Sequence, residues 1–158
     1  MADLRAVVTS LGHDHVQTYL QSGNVVFVPE TSETGDLGPS IARALDVELG
    51  LSVAVHIRTD AELAAIVAAN PYPDVTDPTK LVVTFLAGNA VLPAIDVAAF
   101  APESISAGTR EIYLRLPSGQ TRSPLLAALA QAAPDDGSAT TRNWRTVVAL
   151  EKLCRTLT

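Results

Sequence analysis

The chain has 158 residues, 47% of them hydrophobic, which is enough to bury the core of one domain or of two small fused units. A formal net charge of −6 and an aromatic content of 4% disfavour contact with a phosphate backbone or with stacked bases, so we expect no nucleic-acid partner. The single cysteine, Cys154, excludes an intrachain disulfide and a cysteine-rich metal site. No apolar run has the length of a membrane span, and we expect a cytoplasmic protein with no membrane partner.

The first half of the chain begins with an amphipathic pattern that predicts a helix over 2–11. Two β-prone arms, 18–20 and 25–28, then flank the polar tetrad 21–24, which has the composition of a tight turn. These arms predict a hairpin, and the alternative is one long bent strand with a bulge at Gly23. A second amphipathic helix ends at Gly50, a strand follows over 52–58, and a third helix ends at Asn70.

The second half repeats several of these element types. A β-branched strand is predicted over 80–86, an Ala-rich helix over 91–100, and a hairpin from 104–107 and 110–116. Ser123 and Pro124 then open a helix that runs to 133. A short extended segment over 139–142 follows, and Asn143 caps the last helix.

The order of these elements predicts an α+β protein built from two fused ferredoxin-like, or split βαβ, units. The second half follows the order βαββαβ, and the first half follows it once a strand is added before the first helix. The first unit therefore lacks its N-terminal strand, which would be a central one. We place the units at 1–70 and 79–158 with a proline-rich linker at 71–78, and one compact domain overall is the alternative.

The run Thr-Tyr-Leu-Gln-Ser-Gly-Asn-Val-Val-Phe at 18–27 resembles the hallmark of a bacterial family known as domain of unknown function 1697. Shorter matches follow in chain order at 1–5, 70–73, 83–86 and 140–147, so the resemblance covers nearly the whole chain. Relatives begin earlier, with an extended apolar segment, which is consistent with a missing first strand. They also place lysine after the serine that is Ser123 here, whereas this chain has Pro124. The resemblance implies no activity, and the cofactor stays unknown.

A polar, anion-accepting pocket is the site that the residues themselves favour. Helix starts at 123 and 143 offer unpaired N–H groups, and arginines precede both of them. If these starts lie near the hairpin turn, a phosphate, a carboxylate or a nucleotide tail would suit the pocket. The predicted ligand-binding residues are Gln21, Ser22, Gly23, Asn24, Arg122, Ser123, Thr141, Arg142 and Asn143.

The remaining candidate residues favour structural roles. His13 and His15 have a spacing that could chelate a metal, but no third ligand is near in sequence, so we interpret them as incidental surface histidines and predict no metal site. Trp144 is interpreted as a core or interface anchor, and Cys154 as a small core hydrophobe.

Three functions are compatible with this sequence. The first is a small-ligand or anion-binding protein, which could form a homodimer. The second is an enzyme of unknown class that uses the same pocket. The third is a structural or self-association domain, driven by the sheet edge that the missing strand leaves open.

Overall fold

A computed structural model describes residues 1–30, 35–132 and 137–157. Within these residues the chain forms five α-helices, six β-strands and two short 3₁₀ turns. The helices are α1 (Ala2–Ser10), α2 (Leu37–Leu49), α3 (Asp60–Ala68), α4 (Pro124–Ala132) and α5 (Trp144–Leu157). The strands are β1 (Asp14–Tyr19), β2 (Asn24–Val28), β3 (Leu81–Leu86), β4 (Ser104–Ala107), β5 (Glu111–Arg115) and β6 (Ala139–Asn143).

The residues pack into two compact units. One unit contains Met1–Asp60 together with Leu150–Thr158, and the other contains Ala61–Ala149. The predicted linker, 71–78, lies within the second of these ranges.

The first unit contains the predicted hairpin. Strands β1 and β2 pair antiparallel, with Gln17 opposite Val26 and Tyr19 opposite Asn24. Left-handed backbone at Leu20 (φ 58°) and Gly23 (φ 75°) reverses the chain between the two strands. The hairpin prediction is confirmed, and the single bent strand is not what forms.

The core of the first unit lies between helices α1 and α2 and the strands. Val7 and Val8 of α1 and Ile41 and Leu45 of α2 are buried there. These helices keep the predicted amphipathic pattern, and α2 ends at Gly50 in the left-handed conformation (φ 67°). Partly buried side chains from β1, β2 and the segment 52–58 pack against the same core.

The predicted strand at 52–58 is wrong, because the structure assigns no strand to this segment. Val55 and Ile57 nevertheless pack against the core of the first unit. A strand is defined by backbone pairing with a neighbour, and this segment is part of neither sheet in the described residues. Side-chain packing holds the segment without the ladder that would make it a strand.

The second unit contains a four-stranded antiparallel sheet with the strand order β4-β5-β3-β6. On one face, Val82, Ile112, Leu114 and Leu116 form a core with Leu125 of α4. On the opposite face, the buried hydroxyl of Tyr113 donates to the carbonyl oxygen of Ile66 in α3 at 2.9 Å.

The predicted helix over 91–100 is reduced to a single 3₁₀ turn, Val97–Phe100. Asp96 caps this turn by accepting a hydrogen bond from the backbone N–H of Ala98 at 3.2 Å. Aspartate is more stable at a helix cap than inside a helix, and Pro93 has no N–H for a helical hydrogen bond. These two residues prevent a longer helix despite the Ala-rich composition. The chain is an α+β protein with two antiparallel sheets.

Candidate functional site

The polar residues that precede the helices of the second unit meet at one end of its sheet. Val82, at the beginning of β3, lies opposite both Leu114 near the end of β5 and Asn143 at the end of β6. Arg122 and Ser123 follow β5, so the starts of α4 and α5 belong to this same end. The proximity of these two helix starts was one condition of the pocket that the sequence favoured.

The start of α4 is capped by two side chains. The Ser123 hydroxyl accepts a hydrogen bond from the N–H of Leu126 at 2.9 Å, as predicted for an N-cap. It also donates to the Glu103 carboxylate at 3.0 Å, and the same carboxylate oxygen accepts the N–H of Leu125 at 2.9 Å. Glu103 is buried, with 8% of its surface exposed. This carboxylate takes the position in which an external anion would contact α4.

The start of α5 is capped by Asn143, which confirms that prediction. Its side-chain oxygen accepts hydrogen bonds from the N–H of Thr146 at 2.9 Å and from the Thr146 hydroxyl at 3.0 Å. Thr146 is itself buried. The cap orients the first turn of α5, where Trp144 lies half-buried and Arg145 is exposed.

Thr141 and Arg142 are neighbours in β6 but lie on opposite faces of the sheet, because strand side chains alternate. Thr141 pairs with Thr84, and their hydroxyl oxygens are 2.9 Å apart on the face that α4 covers. Arg142 pairs with Val83, and Val83 pairs with Tyr113, which contacts α3 on the opposite face. These two predicted ligand-binding residues cannot both face one pocket on a single side of the sheet.

Arg142 is half-buried and donates through Nη1 to oxygens of its own strand. The acceptors are the Thr140 hydroxyl at 2.7 Å and the Thr141 carbonyl at 2.8 Å. Burial lowers the pKa of the guanidinium from its ordinary value. An arginine remains charged under such a shift, so this side chain is a cation held against the sheet.

Two further cations at the same sheet end were missed by sequence reasoning. Lys80 immediately precedes β3, and Arg145 lies in the first turn of α5. Both cations act on Asp77: hydrogen bonds from Thr79 lower the pKa of this carboxyl most, and the charges of Lys80 and Arg145 lower it further. The sequence carries no signal for this group, because only the pairing of β3 with β6 brings Lys80 and Arg145 together.

The hairpin turn of the first unit has the predicted turn chemistry. Gln21, Ser22 and Gly23 are exposed, whereas Asn24 is buried. The Asn24 side-chain amide donates to the carbonyl oxygen of Tyr19 at 3.0 Å and to the Ser22 hydroxyl at 2.8 Å. These bonds close the turn, and a ligand-binding role for its four residues stays a prediction.

Packing accounts for His13 and for Cys154, whereas His15 is exposed. His13 is not a surface residue as predicted: it is buried, and its ring stacks on Phe27 with centroids 4.7 Å apart. Across the described ranges, no group of three His, Cys, Asp or Glu side chains could hold a metal ion. Burial raises the pKa of the Cys154 thiol, which therefore stays protonated at neutral pH.

Comparison with known proteins places the chain in a family. The family model described as "Protein of unknown function (DUF1697)" matches residues 1–113. The chain belongs to this family. A search of the curated proteins found no match.

The fold is also similar to a solved structure, that of the conserved bacterial protein SP0830 from Streptococcus pneumoniae. The two share 17% sequence identity with a TM-score of 0.74, and the match covers 98% of this chain and 88% of that one. This similarity supports the α+β fold. Among the helices of the described residues, none has the length and apolar character to cross a membrane.

Proposed function

We propose that the protein binds a small anion at the sheet end where β3 begins and β6 ends. The observation that carries this proposal is the Asp77 carboxylate, whose pKa is lowered by the hydrogen bonds that it accepts from Thr79 and by the charges of Lys80 and Arg145. The charges of Lys80 and Arg145, which are far apart in sequence, thus both act at one exposed position of this sheet end. Arg122, which is exposed just before α4, adds a third cation to this end.

Side-chain cations, rather than helix amides, are the donors in this proposal. Ser123 and Glu103 cap α4, and Asn143 caps α5, so the best-placed backbone N–H groups already have acceptors. Lysine and arginine side chains bind phosphate and carboxylate groups through charge-assisted hydrogen bonds. Phosphorylated or carboxylated small molecules are therefore the ligand class, and the exposed cations predict weak, salt-dependent binding.

Asn143 and Arg142 have different roles in this proposal. Asn143 fixes the start of α5 and so positions Arg145. Arg142 lies on the opposite face of the sheet, one residue earlier in β6, and we assign it to holding that strand through its bonds to Thr140 and Thr141.

Titration with inorganic phosphate tests the proposal. We expect phosphate to raise the melting temperature of the wild-type chain, since a ligand at 100 times its dissociation constant adds about 2.7 kcal/mol of stability. The double variant Lys80→Ala, Arg145→Ala should lose the response. Arg5→Ala and Arg43→Ala, in the exposed faces of α1 and α2, are the matched controls and should keep it. An equal response in all variants would refute the proposed site.

We also propose the finer architecture, two fused ferredoxin-like units. The strand order β4-β5-β3-β6 supports it, because a βαββαβ unit places its fourth strand beside its first and its second strand at the far edge. The first unit has the matching order of helix, hairpin, helix and extended segment.

A further inference from the structure

We infer that the anionic group bound at this sheet end is attached to a flat ring, and that Trp144 is the residue that contacts the ring. The inference rests on the proposed function, because Lys80 and Arg145 supply the charges that hold the anionic group. Trp144 directly precedes Arg145, and Asn143 before it pairs with Val82 at the beginning of β3. The ligand class is therefore a small aromatic phosphate or carboxylate.

The start of α5 directs the Trp144 side chain toward this sheet end. Helical side chains lean toward the N-terminus of their helix, and Trp144 is the first residue of α5. Thr146 and Val147 are buried, whereas Arg145 is exposed, so the Arg145 side of this turn faces solvent. With about 100° between successive residues, Trp144 lies at the border between the buried and the exposed side. Its ring is half-buried there, beside Arg145.

Trp144 has no hydrogen-bond or ring partner within the described chain. Its indole N–H has no acceptor there, and the stacked ring pair of these residues is that of His13 and Phe27. A tryptophan that is buried for packing alone usually has an acceptor for its N–H. The half-exposed ring of Trp144 therefore offers a ligand both a flat surface and a hydrogen-bond donor.

The Lys80 ammonium lies beside an open turn. A Cβ at Gly119 would have one atom of the described residues within 4 Å apart from its chain neighbours, the Nζ of Lys80 at 3.6 Å. Lys80 is half-buried, so this Nζ is held at the turn rather than extended into solvent. An anionic group that contacts Lys80 can therefore lie over Gly119 without meeting another side chain.

The energetics favour a ligand that combines the two kinds of contact. Exposed cations alone bind an anion weakly, because water and salt screen the charges. Stacking of one flat ring on an aromatic side chain strengthens binding about fivefold or more. The formal net charge of −6 disfavours a nucleic-acid strand, so the ligand is a small molecule with few charges.

Four small probes test the inference on the intact protein: phenyl phosphate, adenosine monophosphate, ribose 5-phosphate and inorganic phosphate. The chain has one tryptophan, so its intrinsic fluorescence reports on Trp144 alone. We expect the two ring-bearing probes to change the emission in a saturable way and to bind at least about fivefold more tightly than the two without an aromatic ring. Tighter binding of adenosine monophosphate than of phenyl phosphate would identify a nucleotide as the source of the ring, and equal binding would identify a simpler aromatic acid.

Three variants, measured by calorimetric titration, assign the ring contact. Trp144→Leu keeps apolar bulk but removes the ring, so phenyl phosphate should bind no more tightly than inorganic phosphate. Trp144→Phe keeps a ring and should retain most of the preference. Tyr72→Leu is the matched control, because it removes another half-buried ring, in the segment that leads to Asp77, and should keep the preference unchanged.

The outcomes separate this inference from the proposed function. Binding of inorganic phosphate that depends on Lys80 and Arg145, with no gain from a ring, would overturn the inference and leave the proposed function standing. No binding of any probe would overturn both. A preference that is lost in Tyr72→Leu and kept in Trp144→Leu would overturn the assignment to Trp144. Loss of inorganic phosphate binding in Trp144→Leu would also overturn it, because Trp144 would then hold the start of α5 rather than the ring.

Discussion

At the scale of single residues, the buried carboxylate of Glu103 links β4 to α4. The carboxylate accepts hydrogen bonds from the Ser123 hydroxyl and the Leu125 N–H. Glu103 immediately precedes β4, and the hairpin of β4 and β5 separates it from α4 in the chain. Removing one of these donors leaves the carboxylate buried with one hydrogen bond fewer. The loss of stability should therefore be larger than for a cap that water can replace.

The first prediction concerns this cap. Ser123→Ala removes the N-cap and one donor to Glu103, and we expect a loss of about 1–2 kcal/mol in the free energy of unfolding. Urea denaturation measures the loss. Ser118→Ala, in an exposed turn before α4, should change stability by less than about 0.5 kcal/mol. Equal effects of the two variants would contradict the role given to Ser123.

A second residue-scale prediction concerns alkaline pH. Burial, with a smaller contribution from Glu111, raises the pKa of Tyr113 to about 12. A raised phenol pKa means that the folded state holds its proton more tightly than the unfolded state. The stability it contributes is complete below pH 10, near the ordinary tyrosine value, and is lost as the pH rises toward 12.

Denaturation at several pH values checks this prediction. The wild type should lose stability between pH 10 and pH 12, and Tyr113→Phe should lose less over the same range. At neutral pH the variant should be less stable by about 1 kcal/mol, because the hydrogen bond to Ile66 is removed. Identical alkaline slopes in the two proteins would show that Tyr113 does not titrate in this way.

Asp77 provides the third residue-scale prediction. If its carboxylate competes with a bound anion for Lys80 and Arg145, Asp77→Asn should tighten phosphate binding about two- to fivefold, as expected for an exposed charge pair. Calorimetric titration at low salt measures the change. Weaker binding by this variant would mean that Asp77 orients the cations rather than competing for them.

At the scale of elements, the sequence predicted the five α-helices of the described residues and both hairpins, because amphipathic periods and turn residues are local signals. Gly50 after α2, the tetrad at 21–24 and the Ser123 cap are where the sequence predicts them. The two misses have a common cause. The segment 52–58 and the stretch 91–100 have the right composition, but a strand needs a pairing partner and a helix needs more than Ala content.

The element-scale prediction tests how 52–58 is held. A Cβ at Gly38 in α2 would lie 2.9 Å from the backbone carbonyl oxygen of Val55, closer than real side chains approach. Gly38→Ala should therefore destabilise the protein by about 1 kcal/mol although alanine favours a helix. Thermal melting should show no such loss for Gly35→Ala, where a Cβ meets nothing within 4 Å. A stabilised Gly38→Ala variant would show that α2 and this segment do not contact.

At the scale of the whole molecule, the chain forms two compact units. The candidate site in the second unit combines residues that are far apart in sequence, which is why only part of it was predictable. Ser123 and Asn143 were predictable as helix caps, and Arg122 as the residue before one of them, because helix starts have a local sequence signal. Lys80 and Arg145 were not predicted as site residues, because the pairing of β3 with β6 has no local sequence signal. Side chains alternate within β6, so Arg142 lies on the opposite face of the sheet from Thr141 and Asn143. Only the register of β6 on β3 shows which face that is.

The proposal that cations at this sheet end bind an anion is tested most directly by amide chemical shifts during a phosphate titration. The largest shifts should cluster at 77–80, 119–122 and 144–146, should saturate, and should disappear in the Lys80→Ala, Arg145→Ala variant. Shifts that are spread over the arginines of the chain, or that persist in the variant, would contradict it.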